Sequence, residues 1–544
     1  MRRGALVFIA AGVLFVMMPR AARQLPARPS ETPPVVRGVV HVHTNRSDGT
    51  GSVGDVMQAA ADAGLQFVIV TDHGDATRTP DLPDYRDGVL YIDAVEISTA
   101  DGHLVALGLP KAPYPLAGEG RDVVEDVHRL GGIAIAAHPD SPKPDLRWSD
   151  WNAPIDGLEW LNADSEWRDD RPWTLARALL TYPFRPPQSL ALLLDRPEPV
   201  IRRWDELAQR RRTVGLAAVD AHARVGVSSL GEPYDSTGSL HVPSYTTSFR
   251  EFSIALSDAR LTGNAETDAR TVLDAIRGGR FYSTIDALAG PAALRVTAGT
   301  ARIDVDAQAP DDARITLFRN GVAFATAQGP RLEHTADTGV YRVEVGLPGA
   351  PGTPPVPWIV SNPIYIGGEP ESSPRPGTET PPARTFTTRY DGGPARGWTI
   401  EKNAVSDAAI DVIGALAGSQ LLLRFAISGT PADSPYAAFV MPATSEMAMN
   451  DRLMFTARAD RPMRLSVQLR SSGGEGERWR RSVYLDQTPR TIEVHFAEFR
   501  PVNTSSAVQP ALSTIESVLF VVDTVNTRIG SNGQIQIDDI KYAR

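Results

Sequence analysis

Between residues 35 and 290 the chain alternates short β-rich runs, most of them ending in polar residues, with stretches of helical period between several of them. The β-rich runs are VVRGVVHVHT, LQFVIVTDH, YIDAVEIST, HLVALGL, GIAIAAHP, IDGLEWLN and VGLAAVDAH. SVGDVMQAAADAG, GRDVVEDVHRLGG, WTLARALLTY and VIRRWDELAQRRR lie between several of them, and TVLDAIRGGRFYST leads from a last helix into a strand. Strand–helix alternation predicts a parallel sheet covered by helices, and seven such strands predict an α/β barrel. The C-terminal strand ends of such a barrel converge on one mouth.

The chemistry of the sequence gathers at those ends. Six of the ten histidines stand at or just after a run's end or, for His103, at a run's start: His41, His43, His73, His103, His138 and His222. Asp48, Asp72, Glu96 and Asp220 accompany them. The chain has no cysteine, which excludes disulfides, thiolate zinc sites and cysteine nucleophiles, so any metal must be held by His, Asp and Glu. His41 and His43 are expected on one face of one strand, because side chains alternate with period two; Asp220 and His222 repeat the spacing. Six histidines in five separate segments are hard to explain as isolated core residues.

At these residues the chain resembles a known family. His41-Val-His43 through Ser47-Asp48-Gly49, Thr71-Asp72-His73, Glu96 with Gly102-His103, Ala137-His138-Pro139 and Asp220-Ala-His222 are similar, in order and spacing, to the motifs of the PHP (polymerase and histidinol phosphatase) family. Pro357-Trp358-Ile359-Val360-Ser361-Asn362-Pro363 further resembles an exported branch that includes carbaryl hydrolases. The resemblance implies a distorted (β/α)7 barrel over 35–290 holding two or three divalent metal ions (Mn, Zn or Fe). His41, His43, Glu96 and Asp220 would hold the first, and Glu96, His103 and His138 the second. Asp48, His73 and His222 would hold the third. A carboxylate at Asp48, where some relatives have histidine, is a hard ligand that favours manganese or iron over zinc.

That site implies a hydrolase in which two cations share Glu96 and a hydroxide, with Asp220 or His222 moving the proton. Glu96, Asp220 and His222 are thus the catalytic candidates. Asp72 reads as support for the ligands. The expected activity is a phosphoesterase on a small-molecule ester, for which Arg46 and Lys143 are candidate substrate contacts. The alternative is a carbamate, amide or carboxylic ester hydrolase using the same ions, for which tryptophans 148, 151, 160, 167 and 173 would line an apolar mouth. A third reading, a non-catalytic carbohydrate or surface-binding protein, fits the intact ligand set least.

The rest of the chain reads as signal and accessory modules. Met1-Arg2-Arg3 precedes an uncharged run, Gly4 to Met18, closed by Pro19-Arg20. Its fifteen residues suit a secretory signal and are short of the roughly 20 a bilayer span needs. Export to the periplasm or exterior is expected, by a cleaved signal or a retained anchor, with the Pro-rich remainder of 1–34 as a tether. Residues 291–367 take period two around an Asn320-Gly321 turn and predict a small β-sandwich. The Pro/Ser/Glu-rich 368–384 is a linker. The short strands of 385–544 predict a jelly roll resembling galactose-binding modules, with Trp398 and Trp479 as sugar-stacking candidates and Asp391 or Asp538 as candidates for a structural calcium. The net charge, 55 − 65 = −10, argues against a nucleic-acid partner.

Overall fold

The computed structural model describes residues 14–25, 35–226, 239–240, 242–290, 292–368, 370, 382–414, 418–472, 476–502 and 507–544. Most of the apolar N-terminal run and of the 368–384 linker lies outside them, as does His241. The chain forms two compact units, one of Met1–Lys111 with Glu119–Ser373, the other of Ala112–Gly118 with Pro374–Arg544.

The first unit corrects the expected fold. In place of a (β/α)7 barrel of parallel strands it contains two mixed sheets. Val36–Val40, Phe67–Val70 and Val89–Asp93 pair in parallel, but Ser253–Leu256 pairs antiparallel with Val36–Val40, and Phe281–Thr284 antiparallel with Ser253–Leu256. The other sheet runs Val95–Thr99, Gly102–Leu107, Ile133–Ala136, Gly157–Asn162, Val214–Ala218, and its first two pairings are antiparallel. The physical reason is local. Only Ala100-Asp101 separates Val95–Thr99 from Gly102–Leu107, too short for the crossover a parallel pair requires. Isolated bridges, Val42 with Ala221 and His73 with Glu96, join the two sheets, and both involve candidate site segments. Among the described residues strand makes up 38% and helix 20%, so they are predominantly β.

The strands after 291 divide between two sheets. Leu294–Ala298, Arg302–Ala307 and Arg331–Thr335 form a separate three-stranded layer. The other strands extend the first sheet, because Ile359–Ser361 pairs on one side with Gly339–Gly346 and on the other with Phe281–Thr284. Asn320 and Gly321 take φ of 50° and 79° in the hairpin between Arg314–Arg319 and Val322–Gln328, the left-handed pair such a tight turn demands.

One helix shows how sequence places the site. The helix Val53–Ala63 begins in a capping box, Ser52 and Asp55 each accepting from the other's backbone, and stops at Gly64 with φ 70°. It buries Val56, Met57, Ala60 and Ala63, which fixes the loop of residues 41–51 that leads into it.

The second unit is an antiparallel sandwich. One six-stranded sheet is ordered Asp407–Ile413, Gln420–Ala426, Asn532–Ala543, Arg452–Ala459, Arg490–His495, with Phe386–Tyr390 also on Asn532–Ala543. The other is ordered Thr399–Lys402, Tyr436–Pro442, Ile515–Asp523, Met463–Ser471, Arg478–Leu485, Arg500–Pro501. Leu421, Leu423, Phe439, Phe455, Leu465 and Phe520 fill the space between. Trp479 belongs to this core, 1% exposed, with its Nε1 donating to the Ala507 carbonyl at 2.7 Å. Trp398 stacks on Phe520 with ring centroids 5.7 Å apart. Packing claims Trp479, while Trp398 is half-buried at the edge of the core. Residues 112–118 are part of this unit, where Asn526 Nδ2 donates to the carbonyls of Pro115 and Ala117 at 2.9 and 3.0 Å.

Candidate metal centre

The nine candidate ligands meet in one pocket of the first unit, in four overlapping groups. Glu96 stands at the junction. Its Oε2 lies 3.1 Å from His41 Nε2 and 3.2 Å from His43 Nε2, and Asp220 Oδ1 is 3.4 Å from each of those nitrogens. Its Oε1 lies 2.8 Å from His103 Nδ1 and 2.9 Å from His138 Nε2. Asp48 gathers the remainder: Oδ2 is 3.2 Å from His222 Nε2, and Oδ1 is 3.6 Å from His73 Nε2 and 3.4 Å from His43 Nδ1. His73 also turns Nδ1 to Glu96 Oε2 at 3.2 Å, so it bridges two groups instead of serving one.

The backbone reaches this geometry by leaving the strands. The strand Val36–Val40 stops before His41, whose φ is 67°; Asp220 and His138 take 42° and 28°. The alternation expected for His41–His43 and Asp220–His222 is therefore not the cause of their convergence. Left-handed turns just past the strand ends aim the side chains, at a conformational cost that residues other than glycine bear mainly at functional sites. The imidazoles of His43 and His222 stack at 4.2 Å.

Around the pocket, buried residues orient the ligands. Glu159 Oε1 accepts from His41 Nδ1 at 2.6 Å, which turns His41 Nε2 toward Glu96 and Asp220. Glu159 Oε2 accepts from the His138 backbone N–H at 2.7 Å and from Asn162 Nδ2 at 2.8 Å. Asn162 Nδ2 also lies 3.3 Å from Asp220 Oδ2. Asp72 accepts from Thr44 N, Thr44 Oγ1 and Ser47 Oγ, each at 2.7 Å, and so holds the loop that carries Asp48. His222 Nδ1 donates to the Asp220 carbonyl at 2.9 Å, which turns its Nε2 toward Asp48. The sequence reasoning passed over Glu159, Asn162 and Arg224, whose Nη2 is 3.3 Å from Asp48 Oδ2. The available signal was a carboxylate inside the otherwise apolar run GLEWLN.

Charge matching overrides burial at most of these groups. Burial pulls the His43 imidazole down, yet Asp220 and Glu96 raise it to about 10. His138 is likewise opposed by burial and raised by Glu96 to about 9. Burial pushes Glu96 and Asp220 up, and the surrounding imidazoles hold both well below the ordinary carboxylate range. Asp48 is held low against its own burial, chiefly by His222. His73 is the exception: burial, with His43 beside it, takes it down to about 4 despite Glu96.

The donor set fits divalent cations. His41 Nε2, His43 Nε2 and Asp220 Oδ1 are buried and make no hydrogen bond, although they face one another across 3.4 Å. Two ligand atoms each about 2.1 Å from a shared ion stand about 3.0–3.4 Å apart. Nitrogen and carboxylate donors without thiolate suit manganese, iron or zinc. Among the described residues no such group includes Asp391 or Asp538.

Other candidates stand apart from the cluster. Arg46 binds Asp81 at 2.6 Å and Tyr91 Oη at 3.1 Å. Lys143 is half-buried, its ammonium lowered by burial and by Arg168. Trp148 and Trp160 are core residues, their indole N–H groups donating to Asp150 O and Ser283 Oγ, both at 3.0 Å. His128 pairs with Asp156 at 2.9 Å.

No protein-family model matches the chain. An uncharacterized protein of Methanocaldococcus jannaschii is 29% identical over 140 residues, 23% of this chain and 80% of that protein. Among solved structures, a family 11 carbohydrate-binding module from Clostridium thermocellum in complex with a mixed-linked tetrasaccharide is 16% identical, covering 29% of this chain and 94% of its own, with a TM-score of 0.25. A family 30 carbohydrate-binding module of a cellulosomal cellulase from the same organism is 12% identical, covering 29% and 96%, with a TM-score of 0.22. Likenesses at these TM-scores carry no argument about ligand or activity.

Proposed function

We propose that this chain is a metal-dependent hydrolase whose preferred substrate is a small phosphate ester. The observation that carries the reading is Glu96, whose two carboxylate oxygens face two different sets of imidazoles. Bound divalent cations would acidify water to a usable nucleophile and neutralise charge on the leaving oxygen. The residues of the chain do the rest. Glu159 and His222's own hydrogen bond to the Asp220 carbonyl fix imidazole orientation. Asp220, whose Oδ1 makes no hydrogen bond, or His222 would relay the proton. Arg224, beside Asp48, offers positive charge to an anionic phosphoryl group, the role sought in Arg46 and Lys143. The carbamate, amide or ester alternative asks for an aromatic lining, and burial of Trp148 and Trp160 weakens it.

The deciding experiment is a panel of phosphomonoester, phosphodiester, aryl ester and carbamate substrates on purified protein, with metal content measured beside it. Activity on phosphate esters that chelation abolishes is the expected outcome. Hydrolysis of carbamates alone moves the reading to the alternative, and an active protein without metal ends it.

The N-terminal run supports export with the run retained as a membrane anchor. No helix among the described residues is long and apolar enough to cross a membrane. A carbohydrate ligand for the second unit would have to be held by residues other than Trp479.

A further inference from the structure

The chain leaves the strand Gly157–Asn162 into the helices Ala163–Asp169, Pro172–Thr181 and Pro186–Leu190. Trp173, Leu179, Leu180 and Phe184 are 68%, 65%, 55% and 59% exposed. Trp173 and Leu180, two turns apart, share one helix face, and Phe184 lies in the turn that follows. Single exposed apolar residues are ordinary on a protein surface. Four large ones within the twelve residues 173–184 are a patch that asks for an apolar neighbour.

The route of the N-terminus says which neighbour. The uncharged run that starts at Gly4 ends against this same hairpin. Arg177 Nε donates to the Met17 carbonyl at 2.8 Å, and Arg185 Nη1 to the Pro19 carbonyl at 2.6 Å. Farther on, Arg20 donates to the Pro348 carbonyl, Arg23 N to the Leu288 carbonyl, and Arg23 pairs with Asp312 at 2.6 Å. Residues 17–23 are thus laid down on the first unit and supply no slack. Each residue of extended chain reaches only about 3.5 Å, so whatever takes up the run stands next to the hairpin. Phe15 and Val16, 81% and 80% exposed, continue the apolar surface at that point.

We propose that the hairpin of residues 172–185 is a membrane-docking surface, with Trp173, Leu179, Leu180 and Phe184 inserted at the boundary between headgroups and acyl chains. The inference rests on the reading of the N-terminal run as a retained anchor. Tryptophan is favoured at that depth, and an exposed arginine such as Arg171 can keep its charge among headgroups while its stem lies against lipid. The surface would hold the first unit in one orientation on the bilayer instead of letting it swing on a tether.

The absence of cysteine makes the test direct, since one introduced cysteine takes one label. Full-length Leu180→Cys and, as control, Arg270→Cys carry a nitroxide and are mixed with vesicles of phosphatidylcholine and phosphatidylglycerol. Flotation reports binding, and collision with oxygen against a water-soluble nickel chelate reports depth. The expected result is flotation of both, with nickel collisions at position 180 falling about tenfold relative to position 270. Flotation with equal nickel access at both positions overturns the docking surface and leaves the anchor standing. Absence of flotation overturns both. A label at 180 already shielded without vesicles shows that the chain itself or a second copy covers the patch, spin–spin broadening marking the second copy, and either result overturns the proposal.

Discussion

Two interiors of this chain are equally dry and opposite in chemistry. Between the sheets of the second unit, Leu421, Leu423, Phe439, Phe455, Leu465, Phe520 and Ile537 are buried with only apolar company. In the first unit His41, His43, Glu96, Glu159 and Asn162 are no more than 1% exposed, and nearly all can carry charge. The first interior stabilises the fold by about 25 cal/mol for each Å² removed from water. The second loses hydration that only opposite charges in good geometry can offset. Its carboxylates and imidazoles offset one another by holding protons, and a cation would take over that role. The difference teaches where to look for function: where burial brings charges together, not where it brings side chains together.

The strongest break of the comparison is Glu96→Gln. Turnover should fall by at least about 10³-fold, since one substitution weakens both ligand sets. Circular dichroism should be unchanged, and elemental analysis should show bound metal reduced. Near-normal turnover would remove Glu96 from the chemistry. The mirror experiment is Phe520→Ala, which empties space beside Trp398 and Phe455. Calorimetry should show a loss of about 3–5 kcal/mol. Metal content should stay at the unaltered protein's value, and a fall in it would show that the two interiors are coupled.

The sequence made these interiors legible to different depths. The site was readable because His, Asp and Glu in short motifs are rare enough to mark positions, and the structure gathers all nine. The barrel was not, because period and composition identify strands without their direction. The two-residue link at Ala100-Asp101 is a visible sign against parallel pairing. Trp479 illustrates the same limit. A tryptophan in a Gly-rich loop looks like a platform until register puts it in a core strand, opposite Leu469. Glu159 lies in no motif; its role is set by contacts to His41 and the His138 backbone made across the fold, beside a local one to Asn162.

Glu159→Gln sharpens the comparison at smaller scale. The carboxylate accepts from His41, the His138 backbone and Asn162 at once. A carboxamide must turn an NH₂ toward at least one of these donors. Metal affinity, measured by competition with a chelator, should fall about 10–100-fold. In the metal-free protein, ¹⁵N spectra of His41 should show Nδ1 losing its protonated character. Unchanged affinity would make Glu159 a structural residue only.

A third kind of buried carboxyl sets the smallest effect. Glu251 is 3% exposed, and burial alone raises it to about 8, with no cation or imidazole contributing. It meets burial by keeping its proton, where Glu96 meets it with opposite charge. The sign follows from linkage. An unfolded glutamate ionises near 4.5, so between that pH and about 8 the folded chain holds a proton that the unfolded chain has released. Stability should therefore fall as pH rises through this window, by at most about 1.4 kcal/mol per pH unit. Glu251→Gln keeps the shape and removes the titration. Its melting temperature should match the unaltered protein's near pH 5 and exceed it at pH 8, both in excess chelator so that any metal bound at the candidate site does not contribute differently. Parallel melting curves across that range would mean that water or a donor already solvates Glu251. The contrast would then narrow to the two kinds of interior set side by side above.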